Sequence, residues 1–155
     1  VSFEGKGLDG KKLQKDMIYI LDTNVFLRFL VRENEKDYRE CIKLFRSIKS
    51  LKIRAIAPGI VLAEVGWVLN SYYNVSRAET ARKIEGIMKL KGLEIVDDYD
   101  WLNAMKLYEI KNIKLVDAVL AAMPKVASME WTVVSYDEDF KKLPVLWKNP
   151  KDIRV

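Results

Sequence analysis

Short apolar runs alternate with longer amphipathic stretches along most of this chain. Four runs of four or five mostly apolar residues each stop at Asp, Pro or Ser, as buried strands do. With a shorter run near the C-terminus, they predict strands at residues 17–21, 54–57, 93–96, 131–134 and 145–147. Apolar residues at helical spacing predict helices at residues 24–31, 33–50, 60–73, 76–90, 101–111 and 115–123. This order is typical of an α/β fold with helices on both faces of a parallel sheet of four to five strands.

The length of 155 residues suits a single domain. We expect that domain to span residues 17–155, after a polar leader at residues 1–16 that lacks the apolar segment of a secretory signal. No apolar run approaches the roughly 18 residues that cross a bilayer. Cys41 is the only cysteine, which fits a reducing compartment. We therefore expect a soluble, cytoplasmic protein.

The chain contains no histidine, and this narrows its chemistry. Ser-His-Asp and Cys-His nucleophile systems, HExxH zinc sites and histidine-ligated metals are all excluded. Any catalysis must therefore use carboxylates, hydroxyls, lysines or a hard cation. The net charge of +5 and the pI near 9.2 favour a polyanionic partner such as nucleic acid, although a merely solvated basic surface fits the charge equally well.

Asp22 stands at the junction between the first predicted strand and the first predicted helix. In open α/β sheets, binding sites form in the crevice beyond the carboxyl ends of the strands, where this carboxylate would lie. An alternative role for Asp22 is that of a helix N-cap or turn former. Its position alone does not distinguish the two roles.

Glu64 lies on a predicted helix whose residues one turn away are all apolar. These neighbours are Ile60, Val61, Trp67 and Val68. A buried carboxylate without a partner costs several kcal/mol, so Glu64 must be protonated, paired or bound to a metal. An ion pair with the end of a long Lys or Arg side chain is the alternative to a metal site.

Asp117 repeats this pattern, since it faces Leu120 and Ala121 one turn on. It also lies in the first turn of its predicted helix, where the helix dipole favours a carboxylate without any further function. Asp137 and Asp139 follow the fourth strand, and there Ser135 with Glu138 also matches a capping box.

The four carboxylates Asp22, Glu64, Asp117 and Asp137 can converge on one edge of the predicted sheet. Two carboxylates about 4 Å apart repel each other by about 4 kcal/mol at an effective dielectric constant near 20. Such a cluster is tolerated when it is protonated or holds cations. A site built only from oxygen ligands selects Mg²⁺ or Mn²⁺. These ions activate water and neutralise charge during phosphodiester cleavage.

Four segments of the chain resemble the motifs of the PIN-domain nucleases, and in particular the small VapC-type toxins of toxin-antitoxin pairs. The segments read YILDTNVFLRFL, VLAEVGWVL, LVDAVLAAM and VVSYDEDF, in that order. Each motif is short, but their order over nearly the whole of the chain from Met17 onward makes the resemblance fairly specific.

The resemblance implies a three-layer α/β/α sandwich and Mg²⁺- or Mn²⁺-dependent cleavage of RNA. The acidic positions of the family would be carried by Asp22, Glu64, Asp117 and Asp137, as catalytic residues and metal ligands. The fourth motif holds two acids, and its Ser-x-Asp pattern favours Asp137 over Asp139 for the fourth position. Supporting residues would be Asn24, Ser135 and Asp139, and Arg28 would contact substrate or antitoxin. The implied partners are RNA, a cognate antitoxin protein and a second copy of the chain.

Two other functions remain open at this stage. One is a PIN-like module that binds RNA or protein without cutting it, although such a module gives no reason for Glu64 on an apolar face. The other is a phosphohydrolase of the HAD type, which needs a second Asp where this chain has Asn24. For Trp67, Tyr72 and Tyr73, we expect packing in the core, with a dimer surface as the alternative.

Overall fold

A computed structural model describes residues 17–155 of the chain, and the predicted leader at residues 1–16 lies outside them. Five parallel strands form one sheet in the order β3-β2-β1-β4-β5. The strands are β1 (Ile18–Leu21), β2 (Arg54–Ala57), β3 (Leu93–Ile95), β4 (Trp131–Val134) and β5 (Trp147–Lys148). All four residues of β4 are buried, so both faces of the sheet are covered there. The predicted α/β sandwich with a parallel central sheet is confirmed.

Helices connect the strands and pack on the sheet. They are α1 (Thr23–Leu30), α2 (Glu35–Lys49), α3 (Gly59–Ser71), α4 (Arg77–Met88), α5 (Trp101–Ile110), α6 (Leu115–Ala122) and α7 (Pro124–Ala127). The predicted helices agree with α1 to α6 within two residues at each end. The short α7 was not predicted. Pro124 occupies its first position, where the missing N–H of proline costs no hydrogen bond.

The fifth strand begins two residues later than its apolar pattern predicts. Instead of pairing in the sheet, the N–H of Val145 donates to the carbonyl of Leu143 in a turn, at 2.9 Å. The first bond to the sheet uses the carbonyl of Leu146, which accepts from the N–H of Val133 at 2.9 Å. The apolar residues that precede Trp147 therefore belong to the approach to the strand.

The two central strands end side by side. Leu21 of β1 lies in register with Val134 of β4, and the N–H of Asp22 donates to the carbonyl of Val134 at 3.0 Å. Each strand buries apolar side chains up to its last residue and is followed at once by a polar residue, Asp22 or Ser135. This register places those two polar side chains together at the carboxyl edge of the sheet.

Two aromatic residues of the α3 region do not pack in the core as we expected. Trp67 and Tyr72 are 70% and 69% exposed, respectively. Their helix turns other residues inward, because Val61, Val65 and Leu69 are fully buried at its helical spacing. Tyr73 is partly buried, and its hydroxyl donates to Glu33 Oε2 at 2.6 Å. The prediction of core packing is therefore wrong for Trp67 and Tyr72.

In the part of the chain from residue 17 onward, no helix combines the length and the apolar character needed to cross a membrane.

The N-terminus of α3 is capped by residues that follow β3. Pro58 at the N-cap position makes no side-chain capping bond. Instead, the N–H of Gly59 donates to Asp97 Oδ1 at 2.8 Å, and the N–H of Ile60 donates to the hydroxyl of Tyr99 at 3.0 Å. The same hydroxyl donates to Asp97 Oδ1 at 2.7 Å. These bonds fix the start of the helix that carries Glu64.

The substitution Gly59→Ala is expected to destabilise the protein by about 1 kcal/mol, because the cap leaves no room for a methyl group. A Cβ at this position would lie 2.6 Å from Asp97 Oδ1, which would then have to move away from the helix end. Gly86→Ala is the matched control, since its Cβ meets no atom within 4 Å. That control should stabilise α4 by about 0.5–1 kcal/mol. Urea denaturation of both variants measures the difference, and a stabilised Gly59→Ala protein would contradict the proposed cap.

Candidate metal centre

Asp22 is the innermost carboxylate at the carboxyl edge of the sheet, with 4% of its surface exposed. It is the N-cap of α1, because its Oδ1 accepts from the N–H of Thr23 at 2.8 Å. Its Oδ2 accepts from the hydroxyl of Ser135 at 2.7 Å and from the amide of Asn24 at 3.4 Å. Burial raises the pKa of Asp22 to about 6, although the bonds from Ser135 and Thr23 act in the opposite direction. Asp22 therefore does cap α1, which was one of the two roles open to it.

Ser135 is a fully buried hub that links the ends of β1 and β4. While its hydroxyl donates to Asp22, its oxygen accepts from the side-chain amide of Asn24 at 3.0 Å and from the N–H of Asp137 at 2.9 Å. Asn24 also accepts from the N–H of Tyr136 at 3.1 Å. Every hydrogen-bonding position of the Ser135 hydroxyl is thus occupied. This network fixes Asp22 and Asp137 relative to each other.

Asp137 begins a 3₁₀ helix, Glu138–Lys142. Its Oδ1 accepts from the N–H of Asp139 at 2.9 Å, so Asp137 caps this helix itself. The predicted capping box between Ser135 and Glu138 does not form, because Ser135 is the hub of the Asp22 network. The second oxygen, Oδ2, lies 3.7 Å from the ammonium of Lys114.

Asp117 lies in the first turn of α6 and is 3% exposed. Within residues 17–155, its buried Oδ2 has no hydrogen-bond partner. The pKa of Asp117 is raised to about 7, first by burial and then by the negative charges of Asp22, Asp137 and Glu64. A buried carboxylate oxygen without a donor is rare in a folded protein and calls for a proton or a cation.

Three carboxylates come together at this edge of the sheet. One oxygen each of Asp117, Asp137 and Asp139 lies within 4.8 Å of the other two. The sequence predicts a supporting role for Asp139 and leaves it as the alternative to Asp137 at the fourth acidic position, and the structure places the two carboxylates side by side. Asp139 also pairs with Lys142 at 2.9 Å. Asp22 and Glu64 are not among these three carboxylates, and the Ser135 network connects Asp22 to Asp137.

Glu64 is half-buried on α3. Its charge contributes to raising the pKa values of both Asp22 and Asp117. No Lys or Arg among the described residues lies within 4.0 Å of its carboxylate. The ion pair that we considered as the alternative role for Glu64 is therefore not formed within this part of the chain.

Arg28 lies on α1 and is held by acidic residues that follow this helix. Its Nε lies 3.2 Å from Asp37 Oδ2, and its Nη1 lies 3.6 Å from Glu33 Oε2. About a third of its side chain is exposed. These ion pairs connect α1 to α2, and contact with substrate or antitoxin stays a prediction.

Three residues near the site were not identified from the sequence. Lys114 and Lys142 pair with Asp137 and Asp139, and Tyr136 joins the site to α2 through its hydroxyl, which lies 3.1 Å from Glu40 Oε2. Lys114 stands one helical turn before Asp117, and this spacing is the one signal that the sequence contains. The positions of Tyr136 and Lys142 depend on long-range packing.

The residues of this edge fit a hard divalent cation. The cluster offers several carboxylate oxygens, no nitrogen or sulfur ligand, and one buried oxygen that lacks a donor. Mg²⁺ is bound in proteins through a few carboxylates together with water, and the carboxylates of this cluster fit that ligand set. Divalent binding would also remove the repulsion among the buried acids.

A family model described as PIN domain matches residues 19–146. The chain belongs to the PIN domain family. The matched residues include all four carboxylate segments and Ser135. Membership of this family argues against the alternative of a HAD-type phosphohydrolase. A search of curated proteins found no match.

Solved structures share the fold of this PIN domain. VapBC2 from Rickettsia felis, solved with a DNA fragment from its promoter, has a TM-score of 0.61 at 20% identity and covers 86% of this chain and 98% of its own. PAE2754 from Pyrobaculum aerophilum has a TM-score of 0.60 at 15% identity, with 90% and 93% covered. A toxin-antitoxin complex from Klebsiella pneumoniae has a TM-score of 0.53 at 18% identity, with 87% and 99% covered.

Proposed function

We propose that this PIN domain is a Mg²⁺- or Mn²⁺-dependent endoribonuclease and the toxin of a VapBC-type toxin-antitoxin pair. The observation that carries the proposal is the carboxylate cluster at the sheet edge, in which the buried Oδ2 of Asp117 has no protein donor in the described region. A PIN-like module that only binds RNA or protein has no use for this unfavourable arrangement.

Asp22, Glu64, Asp117 and Asp137 would hold the cation, with Asp139 beside them. When bound, a divalent ion lowers the pKa of a coordinated water and neutralises charge on the phosphodiester. The chain itself supplies the geometry. The Ser135 hydroxyl orients Asp22 by donating to its carboxylate, and it orients Asp137 by accepting from its N–H. Asn24 holds the loop after β4 by accepting from the N–H of Tyr136.

The partners in this proposal are RNA, an antitoxin and a second copy of the chain. The net charge of +5 favours a polyanionic substrate. An antitoxin is supported by the toxin-antitoxin complexes among the structures that share this fold. A homodimer is supported by the exposed side chains of Trp67 and Tyr72, because aromatic residues are enriched in protein interfaces. Such a toxin would act in the cytoplasm.

The direct test is an RNA cleavage assay with the purified chain. We expect cleavage of single-stranded and structured RNAs in Mg²⁺ or Mn²⁺, and none in EDTA. Glu64→Gln should reduce the rate at least about 10²-fold, because it removes a charge from the site. Glu85→Gln is the matched control, since Glu85 is exposed on α4, and it should cleave like the wild type.

Two results would contradict the enzymatic proposal. One is the absence of cleavage with either ion over the whole RNA panel, particularly if the protein still binds RNA, which would favour the non-catalytic module. The other is equal cleavage by Glu64→Gln and the wild type. Anomalous scattering from Mn²⁺ soaked into crystals tests the site separately, and an ion found away from these carboxylates would refute the site assignment.

A further inference from the structure

Lys114 occupies an unusual position beside the carboxylate cluster. It is the N-cap residue of α6, and its side chain makes no capping bond. The partial positive charge at a helix N-terminus repels a cation, and lysine is a poor N-cap residue. The neighbouring acids are therefore what favours an ammonium group here.

The contacts of Lys114 support this interpretation. Its Nζ lies 3.7 Å from Asp137 Oδ2, the oxygen that does not cap the 3₁₀ helix. Burial raises the pKa of Asp117, and the charge of Lys114 partly offsets that rise. Lys114 thus acts as a counter-ion for two of the proposed metal ligands.

The lysine side chain is also free to leave. It is 75% exposed, whereas Asp137 is 21% exposed. Lysine has a long flexible stem and a compact charge, and an exposed pair of this kind is weak. A divalent cation in the cluster would cancel the attraction to the acids and leave the repulsion from the helix end. The ammonium group would then turn outward, at the rim of the site.

We propose that Lys114 is an exchangeable counter-ion, which pairs with Asp137 in the metal-free site and binds a phosphate of the RNA substrate once a divalent ion takes its place. This inference rests on the proposed ribonuclease function. Lys114 would thus have two successive partners, Asp137 and an RNA phosphate. Removing its charge should strengthen the binding of the divalent ion and weaken the binding of RNA.

The test compares Lys114→Gln with Lys111→Gln and the wild type. Lys111 lies three residues before Lys114 in the sequence, and its side chain is exposed. It makes no ion pair within residues 17–155. Calorimetric titration with Mn²⁺ alone should show that Lys114→Gln binds the ion about 3–10-fold more tightly, because the competing charge is gone. Lys111→Gln should match the wild type, and thermal unfolding should show that all three proteins are folded.

The same variants are then compared in RNA cleavage at saturating Mn²⁺. Lys114→Gln should raise KM about 5-fold or more with little change in kcat. It should also reduce the slope of log(kcat/KM) against log salt concentration by about 0.7, as the loss of one phosphate contact to a single strand predicts.

Each outcome has one meaning. Unchanged or weaker Mn²⁺ affinity in Lys114→Gln would overturn the counter-ion role. An unchanged KM and salt slope would overturn the phosphate contact. If the wild type cleaves no RNA, the proposed function and the phosphate contact both fail, while the Mn²⁺ titration still decides the counter-ion role.

Discussion

Asp117→Asn is expected to stabilise the metal-free protein above pH 7 and, at the same time, to abolish metal-dependent RNA cleavage. Burial and the neighbouring acids raise the pKa of Asp117 from 3.8 to about 7. Below about pH 4 this group is protonated in both the folded and the unfolded chain, so it imposes no penalty. Between about pH 4 and pH 7 the unfolded chain ionises this group while the folded protein keeps it protonated, so the stability of the folded protein falls as the pH rises. Above about pH 7 both states are ionised, and the full loss of stability remains.

Asparagine is neutral at every pH and avoids this loss. The shift from 3.8 to about 7 corresponds to at most about 4 kcal/mol, so we expect a gain in stability of about 2–4 kcal/mol at pH 8 and a rise in Tm of about 4–16 °C. The gain should vanish near pH 4. Cleavage should fall by at least about 10³-fold, since a ligand to the ion is lost. The substitution Asp117→Asn breaks no hydrogen bond of Asp117 Oδ2, because this oxygen has no partner within residues 17–155.

Thermal unfolding from pH 4 to pH 8 in EDTA measures the first effect, and the RNA assay measures the second. Asp98→Asn is the matched control, because Asp98 is exposed, and it should change neither property. Saturating Mn²⁺ should reverse the order of stability, since only the wild type gains free energy from the bound ion. An Asp117→Asn protein that is less stable than the wild type at pH 8 would show that the carboxylate supports the fold.

The strands and helices of this protein follow from local patterns, but their ends and pairings do not. The runs at residues 54–57 and 131–134 predict the bounds of β2 and β4 correctly, because each run is mostly apolar and stops at a turn-forming or polar residue. The start of β5 depends on a turn at Leu143 that the apolar pattern does not reveal. The exposure of Trp67 was likewise not predictable, since its hydrophobicity indicates burial whichever way its helix faces.

The sequence proposes a set of candidate site residues, but it does not show how their side chains are arranged. A carboxylate on an apolar helix face is a local anomaly, and this anomaly identified Glu64 and Asp117. Which oxygen lacks a partner depends on the contacts of the folded chain, as Asp117 Oδ2 shows. The pairing of Lys114 with Asp137 joins residues 23 positions apart. Neither feature leaves a trace in local periodicity.

Ser135→Ala is the second substitution for which we expect a large effect. It removes the hydroxyl that donates to Asp22 and accepts from Asn24 and from the N–H of Asp137. Partially buried groups then lose their partners, and the expected destabilisation is about 1–3 kcal/mol. Loss of a residue that orients metal ligands commonly weakens metal binding 10- to 100-fold, and we expect Mn²⁺ affinity to fall within about this range.

The effect of pH on Mn²⁺ affinity distinguishes this orienting role from general destabilisation. The Ser135 hydrogen bond lowers the pKa of Asp22, which burial raises to about 6. Without that bond the pKa rises further, so protons compete with Mn²⁺ at a higher pH. Calorimetric titrations from pH 5.5 to pH 8 should therefore show affinity falling at a higher pH in Ser135→Ala than in the wild type.

Ser128→Ala is the control for the loss of a serine hydroxyl, because Ser128 is exposed and donates only to the carbonyl of Lys125. It should leave both the affinity and its pH dependence unchanged. Because Asn24 and Ser135 belong to one network, Asn24→Ala combined with Ser135→Ala should cost less than the sum of the single changes. Additive costs would mean that Asn24 and Ser135 act independently. An unchanged pH dependence in Ser135→Ala would mean that the hydroxyl does not set the ionisation of Asp22.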